Sequence, residues 1–497
     1  MREDAATPPT TSQLRPRLLP PLRSLVPAEA VVAGIVCLAA WYFARDWIAA
    51  LAVLVLWAGW RYLPQEDGPP VIAMAFTFQW LQVTIGVFYH GFTGRSLDAV
   101  ELSDYRPMVL IGLGCLVALL LGLKLGMRFV GRPPPAGSQR EEQAFSWPAL
   151  IIAYVASVAV TGTLQEFAWE VPSLTQAILA LTYVRFALLF IMFCRLCKPR
   201  VRWGWMAVII AAEVLLGLTG YFAGFREPLM LAAVALLGVF DRRKVTHWLA
   251  VGLFGAIMFL TGLMWMAGRT DYRQDFESQA FAASREARLE RIAGLTSQWV
   301  RQDFKRVFDD LDVFVDRMWV IYYPALAVSR VPSMVPHENG AIMGRALLHI
   351  VTPRLLFPDK AVLESDSEMV MRYSGVWAAG SEHDTSIAFG YAAESYVDFG
   401  VPLMFLPVFV FGVLMGMAYH WWLGIIRHRE LAVGLVAVMF WLSLYLFERS
   451  WIKTLGLTVT MMVYLGGATI LVDRVLLWAR VLGRGTQPVA GTRRGRG

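Results

Sequence analysis

Charged residues are scarce in this chain, and that scarcity excludes an ordinary soluble domain. Only 17% of the 497 residues are charged and 57% are hydrophobic, whereas soluble domains carry roughly 25% charged residues. Cysteine is also rare: all four cysteines lie in or at the ends of apolar runs, so we expect no disulfide, and Cys194 and Cys197 are interpreted as apolar packing residues. No platform of basic and aromatic residues is present, so no nucleic-acid partner is expected.

Apolar runs long enough to cross the roughly 30 Å hydrocarbon core of a bilayer recur along the chain. They predict an all-α, polytopic membrane protein with about twelve transmembrane helices. No small-residue cleavage site follows the first run, so we interpret it as a retained anchor rather than a signal peptide. The runs are 28–44, 47–62, 70–91, 107–127, 148–164, 173–194, 204–222, 227–240, 247–268, 401–425, 431–447 and 454–473.

The distribution of basic residues predicts the orientation. About two dozen Lys and Arg residues fall in the turns on the N-terminal side and about six in the short turns opposite, which is typical of a cytoplasmic N-terminus. This topology also explains the net charge of +7. The predicted parts are a cytoplasmic segment (1–27), transmembrane helices 1–9 (28–268), a periplasmic insert (269–400), transmembrane helices 10–12 (401–473) and a basic cytoplasmic tail (474–497).

The insert begins with the pattern of an amphipathic helix, from about Phe276 to Trp319. Apolar residues recur there at alternating spacings of four and three, which favours a helix that lies on the membrane and caps the bundle, or alternatively one that binds a partner. After Pro332 the pattern breaks, and polar residues without an evident structural role concentrate. Those kept as substrate contacts are Arg345, His349, Arg354 and Arg372.

Two ionisable residues lie deep inside predicted transmembrane helices. Arg185 lies about nine residues before the inner end of its run and Glu213 about nine after the inner end of the next, so both sit about 13–14 Å from the same boundary. An unpartnered charge at that depth is costly, and we therefore expect an intramembrane pair. The pair is interpreted as a structural salt bridge, or alternatively as a proton relay or a phosphate contact.

Arginines stand at the outer ends of two other predicted helices, Arg226 after a glycine-containing turn and Arg449 before the last run. Each is either an anchor that reaches the interface or a ligand for a negative substrate. Glu394 and Asp398 lie four residues apart and share a face if this segment is helical. They are interpreted as catalytic acids or bases, or as cap charges of the helix that begins near Gly400, which Asp398 fits better.

The residues around these positions resemble a known family. A Gly-x-Arg turn (Gly224 to Arg226) opens an apolar run, and a long loop follows that ends in the segment Thr385 to Gly400. This combination resembles the Wzy-type polymerases, which join lipid-linked oligosaccharide repeat units into O-antigen or exopolysaccharide chains and are relatives of the O-antigen ligases. The ligases' His-centred loop pattern is not cleanly present, because Asp384 follows His383 and the glycine spacing differs.

The resemblance implies a glycosyltransferase in the bacterial inner membrane, with both termini in the cytoplasm. Its substrates would be polyprenyl-diphosphate-linked oligosaccharides in the outer leaflet, and its partners membrane lipid, a chain-length regulator and a flippase. A diphosphate leaving group needs fixed cations, which Arg forks supply well. Since no DxD-like acidic pair stands out in the insert, we expect neither a metal nor another cofactor.

We predict that Arg226, Arg354 and Glu394 converge on one cavity. Arg226 would hold the donor diphosphate, Arg354 the second phosphate or the acceptor lipid, and Glu394 would take the proton of the acceptor hydroxyl. His383 and Asp398 are the alternative bases. Arg449 is a further expected substrate contact, together with Arg345, His349 and Arg372.

Two other functions fit parts of this pattern. A transporter of polysaccharide or lipid-linked glycan would use the insert as a lid and Arg185 and Glu213 as pathway residues. Transporters usually show two matching halves, and no internal repeat is visible in this chain. A transferase similar to the O-antigen ligases would use the same outer face, and the sequence does not separate polymerase from ligase.

Overall fold

The computed structural model describes residues 27–63, 69–95, 97, 104–131, 145–171, 174–198, 201–218, 224–241, 243–275, 285–302, 304–352, 356–357, 360, 364–380 and 386–485. Within these ranges the regular structure is helical throughout, with no β-strand. The predicted all-α fold is therefore confirmed.

The helices follow the apolar runs closely, because each run is a stretch of good helix formers bounded by polar, Gly or Pro residues. Their bounds are α1 Pro27–Ala44, α2 Trp47–Tyr62, α3 Val71–Thr93, α4 Arg106–Val130, α5 Trp147–Glu170, α6 Thr175–Thr182, α7 Val184–Leu196, α8 Trp203–Leu218, α9 Arg226–Leu237, α10 Val245–Asp275, α11 Arg285–Val300, α12 Phe304–Met318, α13 Tyr322–Arg330, α14 Ala341–Val351, α15 Asp366–Ser374, α16 Gly390–Phe399, α17 Phe405–Ile425, α18 Arg429–Leu444, α19 Trp451–Thr460, the π-helical turn Met461–Leu465 and α20 Gly466–Gly485.

Seven helical segments in the described part of the chain are long and apolar enough to cross a membrane. The remaining predicted runs are also helical but shorter or less apolar: α1, α2, α8, α9 and α18. The seven segments are Val71–Thr93, Arg106–Val130, Trp147–Gln165, Thr175–Leu196, Val245–Asp275, Phe405–Ile425 and Trp451–Ala479.

The tightest packing in the bundle joins α4 to α17. Each helix presents two glycines four residues apart, Gly122 and Gly126 on α4 and Gly412 and Gly416 on α17. A Cβ at Gly126 would lie 2.0 Å from the carbonyl oxygen of Val413, and a Cβ at Gly416 would lie 2.2 Å from that of Leu123. Small residues at this spacing let two membrane helices approach backbone to backbone.

At the centre of the bundle, α18 is buried on all sides from Leu431 to Leu444, apart from the partly buried Val433. It packs against α3, α7, α17 and α19. A helix that is apolar on all faces fits such a position in the interior of the bundle. The residues that follow α18, 445–451, form one side of the candidate site described below.

The amphipathic stretch is two helices, α11 and α12, rather than one helix from Phe276 to Trp319; residues 276–284 lie outside the described ranges. The apolar face of α12 packs on α10, where the rings of Phe314 and Phe259 meet edge to face with centroids 5.4 Å apart. On α3, Tyr89 donates a 2.5 Å hydrogen bond to Asp312 of α12. The bundle thus contacts part of the apolar surface of α12, while Phe308 and Val313 are exposed.

Candidate functional site

Helix α16 is held against the segment that follows α18. Its first residue, Gly390, has φ +89°, and a Cβ there would lie 2.6 Å from the carbonyl oxygen of Phe447, so only glycine fits without strain. The next amide, of Tyr391, donates a 2.8 Å hydrogen bond to the carbonyl oxygen of Arg449. These two contacts fix the helix that carries Glu394 and Asp398 beside Arg449.

Glu394 is buried, with 2% of its surface exposed, and its Oε2 accepts a 2.7 Å hydrogen bond from the backbone N–H of Trp451. Burial raises the pKa of Glu394 to about 8, and the nearby carboxylates of Asp366 and Asp398 act in the same direction; the Trp451 N–H opposes the shift. A carboxyl group whose pKa lies near neutrality can both take and return a proton, as a general base requires.

Asp398 lies one turn after Glu394, but its carboxylate is committed to a neighbouring helix. Its two oxygens accept the backbone N–H groups of Ile342, at 3.0 Å, and Met343, at 2.8 Å, at the start of α14. Burial raises the pKa of Asp398, while these N–H donors hold it down. The cap interpretation thus applies to α14, not to the helix that follows Gly400.

Arg226 and Arg449 both lie against the side chain of Tyr445. The Arg226 guanidinium donates a 2.7 Å hydrogen bond to the Tyr445 hydroxyl and a 3.0 Å hydrogen bond to Glu227. The Cζ atoms of Arg226 and Arg449 lie 4.9 Å and 5.4 Å from the centre of the tyrosine ring. Two guanidinium groups from separate elements therefore share one aromatic side chain, which helps to hold two like charges close together.

The surroundings fix this arginine–tyrosine cluster in place. The ring of Trp441 stacks on Tyr445 with centroids 4.9 Å apart, and Arg449 Nη1 donates a 2.6 Å hydrogen bond to the carbonyl oxygen of Leu442. Burial lowers the pKa of Arg449, although an arginine remains charged at neutral pH. Next to Arg449, the buried hydroxyl of Ser450 has no hydrogen-bond partner among the described residues, an unusual state for a buried polar group.

The structure connects Arg226 and Glu394 only indirectly, through Arg449. Arg449 links the parts: its guanidinium joins Arg226 at Tyr445, and its backbone lies two residues from the amide that binds Glu394. The described partners of Arg226 and of Glu394 are otherwise different residues. Arg354 and the alternative base His383 lie outside the described residues, so the full convergence stays a prediction.

The remaining candidates in the insert lie in different places. Arg372 forms a 2.8 Å ion pair with Glu364, and Arg345 is exposed on α14. The carbonyl oxygen of His349 accepts a hydrogen bond from Lys360 near the end of the same helix. None of these contacts, as described, connects to the arginine–tyrosine cluster.

Sequence reasoning missed Tyr445 and Trp451. Both lie at the ends of apolar runs, where an aromatic residue usually serves as an interface anchor. The available signal was spacing, since Trp441, Tyr445 and Arg449 recur every four residues. That spacing would have suggested a shared face, although the helix proper ends at Leu444.

Comparison with known proteins shows the family of this chain. A family model described as "Domain of unknown function (DUF8712)" matches residues 118–420, which is more than half of the chain. The chain belongs to the DUF8712 family. No curated protein and no solved structure matches the chain. The DUF8712 match contains Arg226, Glu394 and Asp398, whereas Tyr445 and Arg449 lie beyond its C-terminal limit.

The DUF8712 region also contains the two ionisable residues expected to pair. Arg185 Nη2, on α7, lies 3.4 Å from Glu213 Oε2, on α8, and Glu213 is completely buried. The hydroxyl of Tyr154, on α5, donates a hydrogen bond to the other oxygen of Glu213. The buried carboxylate thus has one partner on each of two helices, as a buried charge requires.

The described residues of the DUF8712 protein can also be considered as metal ligands. Over the ranges that the structure describes, no group of three or more His, Cys, Asp or Glu residues is arranged to hold a metal ion. Lys453 is a protein cation that acts on Glu394, and it forms a 2.5 Å ion pair with Asp366.

Proposed function

We propose that this protein is a membrane glycosyltransferase that polymerises polyprenyl-diphosphate-linked oligosaccharide repeat units at the outer face of the bacterial inner membrane. The observation that carries the proposal is the pairing of Arg226 and Arg449 around Tyr445, next to the segment whose amide holds the buried Glu394. The proposed topology has about twelve crossings, both termini in the cytoplasm, and residues 269–400 in the periplasm.

The two arginines supply what a departing diphosphate needs. Each guanidinium can make two parallel hydrogen bonds to phosphate oxygens, and two together can balance the charge that develops as the bond to the sugar breaks. The side chain of Arg226 is 43% exposed, so its remaining donors can reach a ligand. Tyr445 and Leu442 fix the two guanidinium groups in advance, which reduces the reorganisation needed during the reaction.

Glu394 supplies the proton acceptor. In the proposed step, the acceptor hydroxyl oxygen forms a bond to the anomeric carbon, the bond from that carbon to the diphosphate oxygen breaks, and Glu394 takes the hydroxyl proton. The hydrogen bond from Trp451 N–H orients the carboxylate. Because Glu394 is buried, bulk water is a poor competitor for the acceptor hydroxyl.

Polymer formation tests the assignment. We expect Arg226→Ala, Arg449→Ala and Glu394→Gln each to reduce polymer by about two to three orders of magnitude, the usual effect of removing a charge-stabilising or proton-accepting group. Arg354→Ala is expected to reduce polymer by a similar factor. Polymer is read from a gel of extracted glycan, and abundance from a blot of the membrane fraction.

A matched control is Arg95→Ala, because Arg95 is an exposed arginine that pairs with Asp312 away from the cluster. It should leave polymer unchanged. Arg226→Lys keeps the charge but loses the planar fork, so we expect intermediate polymer. Normal polymer from Glu394→Gln would remove Glu394 as the base and shift the assignment to His383.

The topology is tested separately by reporter fusions. A reporter placed after Gln302 or after Met343 should read as periplasmic. A cytoplasmic reading at either position would overturn the proposed orientation, and with it the placement of the site at the outer face.

A transporter of polysaccharide or lipid-linked glycan is the second candidate, favoured by the buried Arg185–Glu213 pair between apolar helices. Such a pair could bind and release a proton or a substrate charge during transport. The two candidates differ in the behaviour of the arginine variants. Normal polymer from both Arg226→Ala and Arg449→Ala, with loss of polymer from Glu213→Gln, would favour the transporter.

A further inference from the structure

Helix α14 has one buried face and one exposed apolar face. Ile342 and Ala346 point into the protein. On the opposite face Leu347, Leu348 and Val351 are exposed, Leu348 by 63% and Val351 by 70%. The apolar surface continues beyond the helix with the exposed side chains at positions 356 and 357, Leu and Phe, and Arg345 is the one charged residue on the exposed face among the described positions of α14.

The neighbours of α14 indicate what covers this face. The helix packs along α19, which is the first part of the membrane-spanning segment Trp451–Ala479. Its N-terminus is fixed to α16, which ends directly before the span α17. Val401 and Leu403, between α16 and α17, and Leu406, on α17, are exposed apolar residues. The exposed face of α14 is therefore flanked by two segments that are apolar enough to meet lipid.

Side chains bind some of the terminal backbone groups at both ends of α14. At the N-terminus, Asp398 accepts the N–H groups of Ile342 and Met343. At the C-terminus, Thr352 Oγ1 donates a 2.7 Å hydrogen bond to the carbonyl oxygen of Leu348, and Lys360 donates to that of His349. In hydrocarbon no water is available to bind the terminal N–H and C=O groups of a helix, so hydrogen bonds from side chains matter more there than in water.

We propose that α14, with residues 356 and 357, lies in the hydrocarbon of one leaflet, as a helix that enters and leaves the membrane on the same side. Its 11 residues span about 16 Å, roughly half of the 30 Å hydrocarbon core, so it reaches into one leaflet and does not cross. The occupant of the exposed face is bilayer lipid. Arg345, near the N-terminal end, extends its charged group to the headgroups.

Spin labelling in lipid nanodiscs tests this placement. Single cysteines replace Leu348 and Val351 in a full-length background in which the four native cysteines are alanine, and each carries a nitroxide label. Two reference positions define the scale: Leu406, exposed on the α17 span, and Asp309, an exposed acidic residue on α12. Collision rates are measured with oxygen, which concentrates in hydrocarbon, and with a water-soluble nickel chelate.

We expect labels at 348 and 351 to behave like the label at 406, with high oxygen access and at least about a fivefold lower nickel access than at 309. Nickel access equal to that at 309 would place the helix in water and overturn the proposal. Protection from both reagents would also overturn it, because it would mean that protein covers the face. Both positions are exposed, so the labels fit without repacking, and agreement of the two guards against a local effect.

Discussion

Replacing each of the two carboxylates of α16, Asp398 and Glu394, should affect a different property of the protein: Asp398 its stability and Glu394 its polymer formation. Asp398→Ala deletes the acceptor of two backbone N–H groups of α14. Hydrogen bonds to a charged group contribute about 1.5–3 kcal/mol each, and loss of a helix cap costs about 0.5–2 kcal/mol. Because these measures overlap for one side chain, we expect a loss of about 2–3 kcal/mol in the free energy of unfolding, with Asp398→Asn losing less.

Glu394→Gln is expected to differ in kind. Glutamine has nearly the same shape, and its carbonyl oxygen can still accept the hydrogen bond from Trp451 N–H. A near-isosteric change of this kind usually costs below about 1.5 kcal/mol, so the fold should persist while polymer is lost.

The measurement combines thermal unfolding of purified protein in nanodiscs, followed by intrinsic tryptophan fluorescence, with the polymer gel. Asp398→Ala should lower the unfolding midpoint and reduce polymer only in proportion to the folded protein that remains. Glu394→Gln should keep the midpoint and lose polymer. If Asp398→Ala unfolded at the wild-type temperature yet made no polymer, its assignment as a cap would be refuted, and Asp398 would become a catalytic candidate.

Three further expectations concern other parts of the molecule. Folding raises the pKa of Glu394 from 4.5 to about 8, so the folded protein binds a proton between these pH values that the unfolded chain does not. The free energy of unfolding should therefore fall as pH rises from 4.5 to about 8. In unfolding scans, Glu394→Gln should make this pH dependence weaker. Gly126→Leu should lower the free energy of unfolding by about 1–3 kcal/mol or more, because the larger side chain overpacks the contact with α17. At Gly252 a Cβ meets nothing within 4 Å, so Gly252→Ala should leave the stability unchanged or raise it slightly in the same unfolding scans. In a double-mutant cycle, Arg185→Ala and Glu213→Ala should couple by about 0.5–3 kcal/mol, and additive losses would contradict their contact.

The parts of the fold that sequence could predict are those set by local composition and depth. Apolar runs predicted the helices because burial in hydrocarbon forces the backbone to satisfy its own hydrogen bonds. Arg185 and Glu213 were predicted to pair because both lie at the same depth from one membrane boundary, where an unpartnered charge is costly. The Tyr154 donor escaped notice because tyrosine in an apolar run carries no charge to explain.

The candidate site was harder to predict, because its contacts join distant segments. Asp398 caps a helix that begins more than fifty residues earlier, and local spacing pointed to the helix that follows it instead. Tyr445 links Arg226 to Arg449 across more than two hundred residues. The break between α11 and α12 was missed because the apolar spacing continues across it.

The length of α10 has a consequence for the membrane itself. At 31 residues it extends about 46 Å, against the roughly 30 Å of hydrocarbon in a typical bilayer. The helix is therefore longer than this hydrocarbon is thick, and Asp275 at its C-terminal end accepts a 2.6 Å hydrogen bond from Arg291 of α11. A thicker bilayer would draw this helix upright and a thinner one would tilt it. A change in the tilt of α10 would act on α11 through this ion pair, so we expect the position of α11 to depend on lipid chain length.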